Sequence, residues 1–301
     1  MMQTDTLVPL TENIYWVKAP GKGRFPYCNG FLLTGEPNIL IDAGIGKELI
    51  NQIEKEIRID ILLISHSHSD HIMFWHELAD RIIMMPQETP DDITDLTRLG
   101  MRFTGNKEGA LYWKNSITQN YGFKPMRLPD KRYSDGDFIG NDKVKLKAIH
   151  APGHIDDHYC FFHPESGLLL STDIDFNRFG PWYGNPVSSI AQFKKSVQKI
   201  QNLPYQMVCS SHHLPILDKE AAKKAIAKFA AGFEIQKNSV FERCSTPQTL
   251  QQLIEKSPFY YNKMPDKTFQ AIFETPMIEK NLDLLLTEGL ITEHNGQYSQ
   301  I

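Results

Sequence analysis

The sequence predicts an α/β protein with a helical C-terminal region, on three observations. Short β-rich runs bounded by Gly and Pro alternate with stretches of helical periodicity, and each His or Asp cluster follows an apolar strand-like run. After Pro215 the composition shifts to Ala, Lys, Gln and Leu at helical spacing, which places a boundary near residue 216 between segments 1–215 and 216–301.

Ile14-Tyr15-Trp16-Val17, Gly30-Phe31-Leu32-Leu33 and Asn38-Ile39-Leu40-Ile41 read as antiparallel strands leading to Asp42-Ala43-Gly44. Lys47 to Glu56 reads as a helix and Ile61 to Ile64 as a buried strand, followed by a loop and a helix running toward Arg81. Thr89 to Asn120, rich in charge and helix formers, is expected to be a helical insertion. Strands are expected again at Val144 to Ile149, Tyr159 to Phe162 and Leu168 to Ser171, then a helix over Ile190 to Asn202 and a strand at Met207-Val208-Cys209. In the C-terminal region Lys219 to Phe233 is helical. Glu279 to Leu286, then Gly289-Leu290-Ile291 and a hairpin signal at Asn295-Gly296, follow the order of a winged helix.

A chain of 301 residues with 41% hydrophobic content supports one large domain and a smaller one. Its net charge of -4 supplies no general attraction for polyanions, and residues 216–301 carry 10 Lys and Arg against 11 Asp and Glu. A nucleic-acid partner is therefore not favoured, and the C-terminal region is expected to cover a pocket or form a homodimer contact. Cys28, Cys160, Cys209 and Cys244 form no Cys-x-x-Cys pair, which argues against a zinc ribbon or disulfide framework. The N-terminus lacks a basic-then-apolar leader, and no apolar run reaches the roughly 18 residues of a membrane span. A cytoplasmic protein with no membrane association is expected.

Ser65-His66-Ser67-His68-Ser69-Asp70-His71 concentrates three imidazoles and a carboxylate directly after an apolar strand. Composition alone would place roughly 0.2 His in the six residues from His66 to His71, which hold three. Neutral imidazoles and carboxylates ligate Zn, Mn or Fe, and a catalytic site keeps positions open for water and substrate. Later strand ends add His154, Asp173 and the pair His212-His213, with His212 favoured by its place after Ser210-Ser211. Seven donors suffice for two metals sharing a carboxylate. His76 and His163 read as surface or helix-face residues, His150 as a supporting or structural group, Asp42 as part of the loop scaffold and Cys209 as a buried hydrophobe. Phe25, Tyr27, Tyr112, Trp113, Trp182 and Tyr183 read as packing anchors ahead of substrate contacts.

The run His66, His68, Asp70, His71 meets the pattern His-x-His-x-Asp-His and resembles the metallo-β-lactamase superfamily. The resemblance extends in order through Asp42-Ala43-Gly44, His154, Asp173 and the final His, covering about residues 12 to 215. It implies a four-layer αββα sandwich with two divalent metal ions, zinc first and Mn or Fe as alternatives, at one edge of its sheets. His66, His68 and His154 would hold one metal, Asp70, His71 and His212 the other, and Asp173 would bridge them. The implied chemistry is hydrolysis of a small-molecule ester, thioester or lactone by a metal-bridged hydroxide. Asp70 would orient that hydroxide and take its proton, and His158 would hydrogen-bond an anionic intermediate or leaving group.

Two departures from the pattern are Met73-Phe74-Trp75, expected to make the pocket entrance bulkier, and Ser210-Ser211-His212-His213-Leu214 in place of the usual Pro-Gly-His-Gly. Other functions on the same scaffold are an RNA phosphodiesterase, as in endoribonucleases that append a winged helix, and a mononuclear iron oxidoreductase such as a persulfide dioxygenase. A nucleic-acid-binding regulator with a structural metal is a further reading, whereas β-lactam hydrolysis is not expected.

Overall fold

The computed structural model describes residues 6–301. Its first sheet runs in the order β1 (Leu7–Pro9), β2 (Ile14–Val17), β3 (Gly30–Leu33), β4 (Ile39–Ile41), β5 (Ile61–Leu63), β6 (Ile82–Pro86) and β7 (Lys131–Tyr133). Pairing is antiparallel from β1 to β4 and parallel from β4 to β7. The second sheet has the order β12-β11-β10-β9-β8, where β8 is Phe138–Gly140, β9 Lys145–His150, β10 Tyr159–His163, β11 Leu168–Thr172 and β12 Met207–Ser210.

Strand alternation sorts the side chains into layers. Phe31, Leu33, Ile39, Ile41 and Leu63 meet Leu146, Ala148, Tyr159, Phe161 and Leu170 between the two sheets. The intervening residues Leu32, Leu40 and Leu62 face outward, onto α1 (Lys47–Glu54) and onto α3 (Leu96–Thr104) and α4 (Lys107–Tyr121) of the insertion. On the other side Cys160, Phe162, Leu169 and Val208 pack under α5 (Ile190–Gln201) and α6 (Lys219–Arg243). Each fully buried Leu, Ile or Phe among them contributes about 1.5–3 kcal/mol. The result is the expected four-layer αββα sandwich.

The expected helix toward Arg81 is instead one turn, α2 (Ser69–Ile72), followed by a 3-10 segment at Trp75–Leu78. Phe74 leaves helical geometry at φ -109°, ψ 22°, and the Trp75 indole donates to the Lys124 carbonyl. Met73 and Trp75 are buried in the helical-side core, so they do not narrow the pocket entrance as expected. The insertion contains two helices because Asn106 accepts from the Gly109 amide at the α4 start, and Gly105, at φ +77°, ends α3.

The C-terminal region comprises α6, β13 (Gln248–Thr249), α7 (Leu250–Lys256), α8 (Lys267–Thr287), β14 (Ile291–His294) and β15 (Gln297–Gln300). Asn295 and Gly296, both at positive φ, turn the β14-β15 hairpin. The core under α5 continues without a break across residue 216, through Ile226, Phe229 and Phe233 of α6 to Met277, Ile278 and Leu282 of α8. No helix among the described residues is long and apolar enough to cross a membrane.

Candidate metal centre

Four strand-end segments converge at one edge of the sandwich: the 65–71 loop after β5, His154 between β9 and β10, Asp173 after β11 and His212 after β12. Backbone bonds join the sheets there, with the Tyr159 amide donating to Ser65 O at 3.2 Å and Asn29 N to Ser211 O at 2.8 Å. Thr172, a β-branched residue at φ +46° beside a register shift in β11, turns the chain so that Asp173 faces the centre.

Two donor sets result. Ligand atoms of His66, His68, His154 and Asp173 lie within 4.8 Å of one another, as do those of Asp70, His71 and His212. The Asp173 carboxylate joins the sets, with one oxygen 3.2 Å from His154 Nε2 and 3.5 Å from His212 Nε2, and the other 3.0 Å from His71 Nε2.

The hydrogen bonds on the far side of each imidazole decide what faces inward. His68 Nε2 donates to Asn185 Oδ1 at 2.6 Å, His154 Nδ1 to the Trp182 carbonyl at 2.9 Å, His71 Nδ1 to Asp42 Oδ2 at 2.7 Å and His212 Nδ1 to the Gly23 carbonyl. Ser65 Oγ, whose proton goes to Asp42, accepts from His66 Nδ1 at 3.0 Å. The inward nitrogens of His66, His68 and His154 are thereby left with lone pairs, although His68 Nδ1 and His154 Nε2 are only 2.8 Å apart and His66 Nε2 is 3.1 Å from His68 Nδ1. Lone pairs that close repel unless a cation lies between them. His71 Nε2 and Asp173 Oδ1 are also buried and meet only each other, at 3.0 Å, so a divalent ion that displaces the imidazole proton gains both as ligands. The donor set therefore fits divalent cations.

Burial, reinforced by neighbouring imidazoles, pushes the pKa values of His66 and His68 well below the usual range and keeps both rings neutral. Burial opposes charge on Asp173, but His71 and His212 overcome it and hold the carboxyl well below its usual range. Burial likewise opposes charge on His212, yet Asp173 and Asp70 raise it to about 10.

Of the His212-His213 pair, His212 faces Asp70 and Asp173, while His213 bonds the Leu214 carbonyl and packs its ring near Phe176. Asp42 serves the scaffold, accepting from Ser65 N, Ser65 Oγ and His71. The group Cys28, Asp42 and His71 is a poor cation site, because Asp42 and His71 Nδ1 are bonded to each other and burial pushes the Cys28 thiol up to about 12. His150 bonds the Asp156 carbonyl and stacks on Tyr159, a structural role.

The role expected for His158 is corrected. Its Nδ1 donates to the Ala151 carbonyl at 2.8 Å, and its Nε2 accepts from the Asp173 amide at 3.1 Å and meets Thr172 Oγ1 at 2.7 Å. Fully buried, with burial pushing its pKa down to about 3, it positions Asp173 and has no nitrogen free for an intermediate.

Two supporting residues had no signal in the sequence. Asp157 anchors the loop by accepting from Ser67 N at 3.1 Å, Ser67 Oγ at 3.2 Å and Thr89 Oγ1 at 2.7 Å. Asn185 orients His68, donates to the Phe103 carbonyl at 2.9 Å and accepts from Lys280 of α8 at its own carbonyl. Asn185→Leu is expected to weaken metal binding or turnover about 10- to 100-fold, the usual cost of losing such a partner. Metal titration of the variant checks this, and unchanged affinity would show that His68 needs no orienting group.

Seven donors gathered at one edge of an αββα sandwich, with the outer nitrogen of every imidazole tied down, define a metal-binding protein of the metallohydrolase fold. The chain belongs to the metallo-beta-lactamase superfamily, whose family model matches residues 23–212. A metallo-beta-lactamase family protein of Thermus thermophilus superposes with a TM-score of 0.74 at 18% identity, over 97% of this chain and 100% of that one. A hydroxyacylglutathione hydrolase of Hydrogenovibrio crunogenus is 24% identical over 78% of this chain and 82% of its own length. The lactamase-like protein aptB of Emericella nidulans is 26% identical over 69% of this chain, which spans 59% of that relative.

Proposed function

We propose that the protein is a metal-dependent hydrolase of a carboxylic ester, thioester or lactone, with His66, His68 and His154 holding one divalent ion, Asp70, His71 and His212 a second, and Asp173 shared between them. The observation that carries this reading is the crowding of the inward lone pairs of His66, His68 and His154 beside the buried Asp173 carboxylate. Such an ion pair, zinc first with Mn or Fe as alternatives, supplies an ionised water at neutral pH and polarises the substrate oxygen. Asp70, partly exposed to the cavity and 3.5 Å from His212 Nε2, would orient the attacking water and receive its proton, a role its access to the cavity supports. The name of the Hydrogenovibrio relative, which denotes hydrolysis of an acylated glutathione, supports a thioester. A mononuclear iron centre held by two His and one Asp would leave four of the seven donors unused, which weighs against the oxidoreductase reading.

The test is metal analysis of protein purified without added metal, followed by assays on thioesters, lactones, phosphodiesters and short RNAs. Two zinc or manganese ions and ester or thioester turnover are expected, with turnover abolished in a folded His68→Ala protein. A single iron with oxygen consumption, or full activity in His68→Ala, would overturn the assignment.

The two sets should also respond differently to pH. With a pKa of about 10 in the metal-free protein, His212 is protonated at neutral pH, and a cation must displace that proton. Affinity at the Asp70, His71 and His212 set is therefore expected to fall at least about tenfold per pH unit from pH 9 to 7. His66 and His68 are already neutral over that range and contribute no such loss. Calorimetric titration in buffers of different ionisation enthalpy counts the released protons, and equal slopes for both ions would contradict this reading.

A further inference from the structure

The cavity over the centre, of about 1050 Å³, lies at the large end of ligand clefts and is much roomier than a short ester requires. Its lining combines two chemistries. Beside His68 and His154 the wall is aromatic: Phe103 and Trp182 each lie 5.4 Å from the His68 ring, and Phe273 lies 5.7 Å from Trp182. Trp113 and Ile117 of α4 and Phe269 of α8 continue this wall. The polar groups within it are engaged internally. Trp182 Nε1 donates to Tyr260 at 2.7 Å, and the Asn185 amide serves His68 and Phe103.

A second stretch of the lining adjoins His212, whose Nδ1 bonds the Gly23 carbonyl. That ties it to a segment bearing Lys18, Lys22 and Arg24, and Arg178 lines the same cavity. All four cations are exposed, and none has an ion-pair partner among the described residues. In a chain of net charge -4, four exposed cations that line one cavity without an ion-pair partner among the described residues favour an anionic group there.

We infer that the substrate is amphipathic: an extended apolar acyl group held in the aromatic chamber, joined by the scissile bond at the metal centre to a phosphate-bearing carrier held by Lys18, Lys22, Arg24 and Arg178. This deepens the proposed hydrolysis and rests on it. In the reaction one water is consumed and the acyl C–S or C–O bond breaks, leaving a carboxylate, a thiol or alcohol, and a proton. The acyl product stays on the His68 side and the charged carrier leaves past His212.

The probes are acyl-coenzyme A esters from acetyl to dodecanoyl, compared with dodecanoyl N-acetylcysteamine as a neutral carrier. The kcat/KM of the metal-loaded enzyme should rise roughly three- to fourfold per methylene until the chamber is filled. Dodecanoyl-coenzyme A should exceed the neutral ester by about tenfold or more, with the advantage shrinking as salt rises. Lys22→Glu with Arg24→Glu should lower the charged-to-neutral ratio about tenfold, and Phe273→Ala should flatten the chain-length dependence. Should Phe273→Ala fail to fold, Phe273→Leu serves. Independently of turnover, dodecanoate should quench the fluorescence of Trp113 and Trp182 in the metal-free protein, and acetate should not.

A flat chain-length profile, or equal rates on charged and neutral carriers, overturns the inference while leaving the hydrolase reading intact. Failure to turn over any ester, thioester or lactone removes the hydrolase reading. The inference then stands or falls on binding, because chain-length-dependent binding of intact acyl-coenzyme A supports it and absence of binding rejects it. Cleavage of a short RNA with no acyl-carrier binding also rejects it.

Discussion

Asp173→Ala is expected to reduce turnover by about a thousandfold or more, because in the proposed two-metal hydrolase the polarisation and water activation it would support amount to several kcal/mol at about 1.4 kcal/mol per tenfold. No other carboxylate among the described residues approaches inward nitrogens of both donor sets, at 3.2 Å from His154 Nε2, 3.0 Å from His71 Nε2 and 3.5 Å from His212 Nε2. Truncation leaves those nitrogens facing each other without a counter-charge, so bound metal should fall from two ions per chain to one or fewer. Asp173→Asn retains an oxygen donor without the charge and should fall between the variant and the parent. Metal content by mass spectrometry and steady-state kinetics test this together. Two tightly held ions in Asp173→Ala would show that the sets do not share a ligand through this residue.

Gly44→Ala is the second large effect. The backbone after β4 passes so close to the metal loop that a Cβ on Gly44 would lie 1.9 Å from the Asp70 carbonyl oxygen and 2.5 Å from Cys28 Sγ. Neither segment can yield freely: the Ala43 amide donates to the His71 carbonyl at 2.7 Å, and Cys28 N donates to Gly44 O at 3.1 Å. Overpacking of this kind costs about 1–3 kcal/mol or more, and relief requires moving the backbone between Asp70 and His71. The variant should lose stability in chemical denaturation and, where folded, bind the ion of the Asp70, His71 and His212 set far more weakly. Parental stability with both ions retained would show that the loop has slack that these distances do not provide.

The loop His66 to His71 was legible because its donors are local: spacing along one strand-end turn brings them together whatever the rest of the chain does. His154, Asp173 and His212 were legible only through their order after apolar runs. The reading of His158 failed on direction, since four residues of separation from His154 say nothing of where a ring just before β10 points, and it points at the Asp173 amide. Met73-Phe74-Trp75 failed similarly, because Phe74 leaves helical geometry and Met73 and Trp75 turn into the core. Asn185 and Asp157 carry no local pattern, and each acts on a loop residue 90 or more positions away.

By itself the sequence determined the alternation of strands and helices, the helical character of the C-terminal region and the chemical type of the site, since periodicity and donor chemistry are properties of short segments. Tertiary structure alone decided which nitrogen of each imidazole faces the centre, that His212 turns inward and His213 does not, and that aromatic residues of α4 and α8 line the same cavity as Lys18, Lys22, Arg24 and Arg178. Those features depend on hydrogen bonds and packing between residues far apart in the chain, and a linear pattern carries no record of which distant groups will meet.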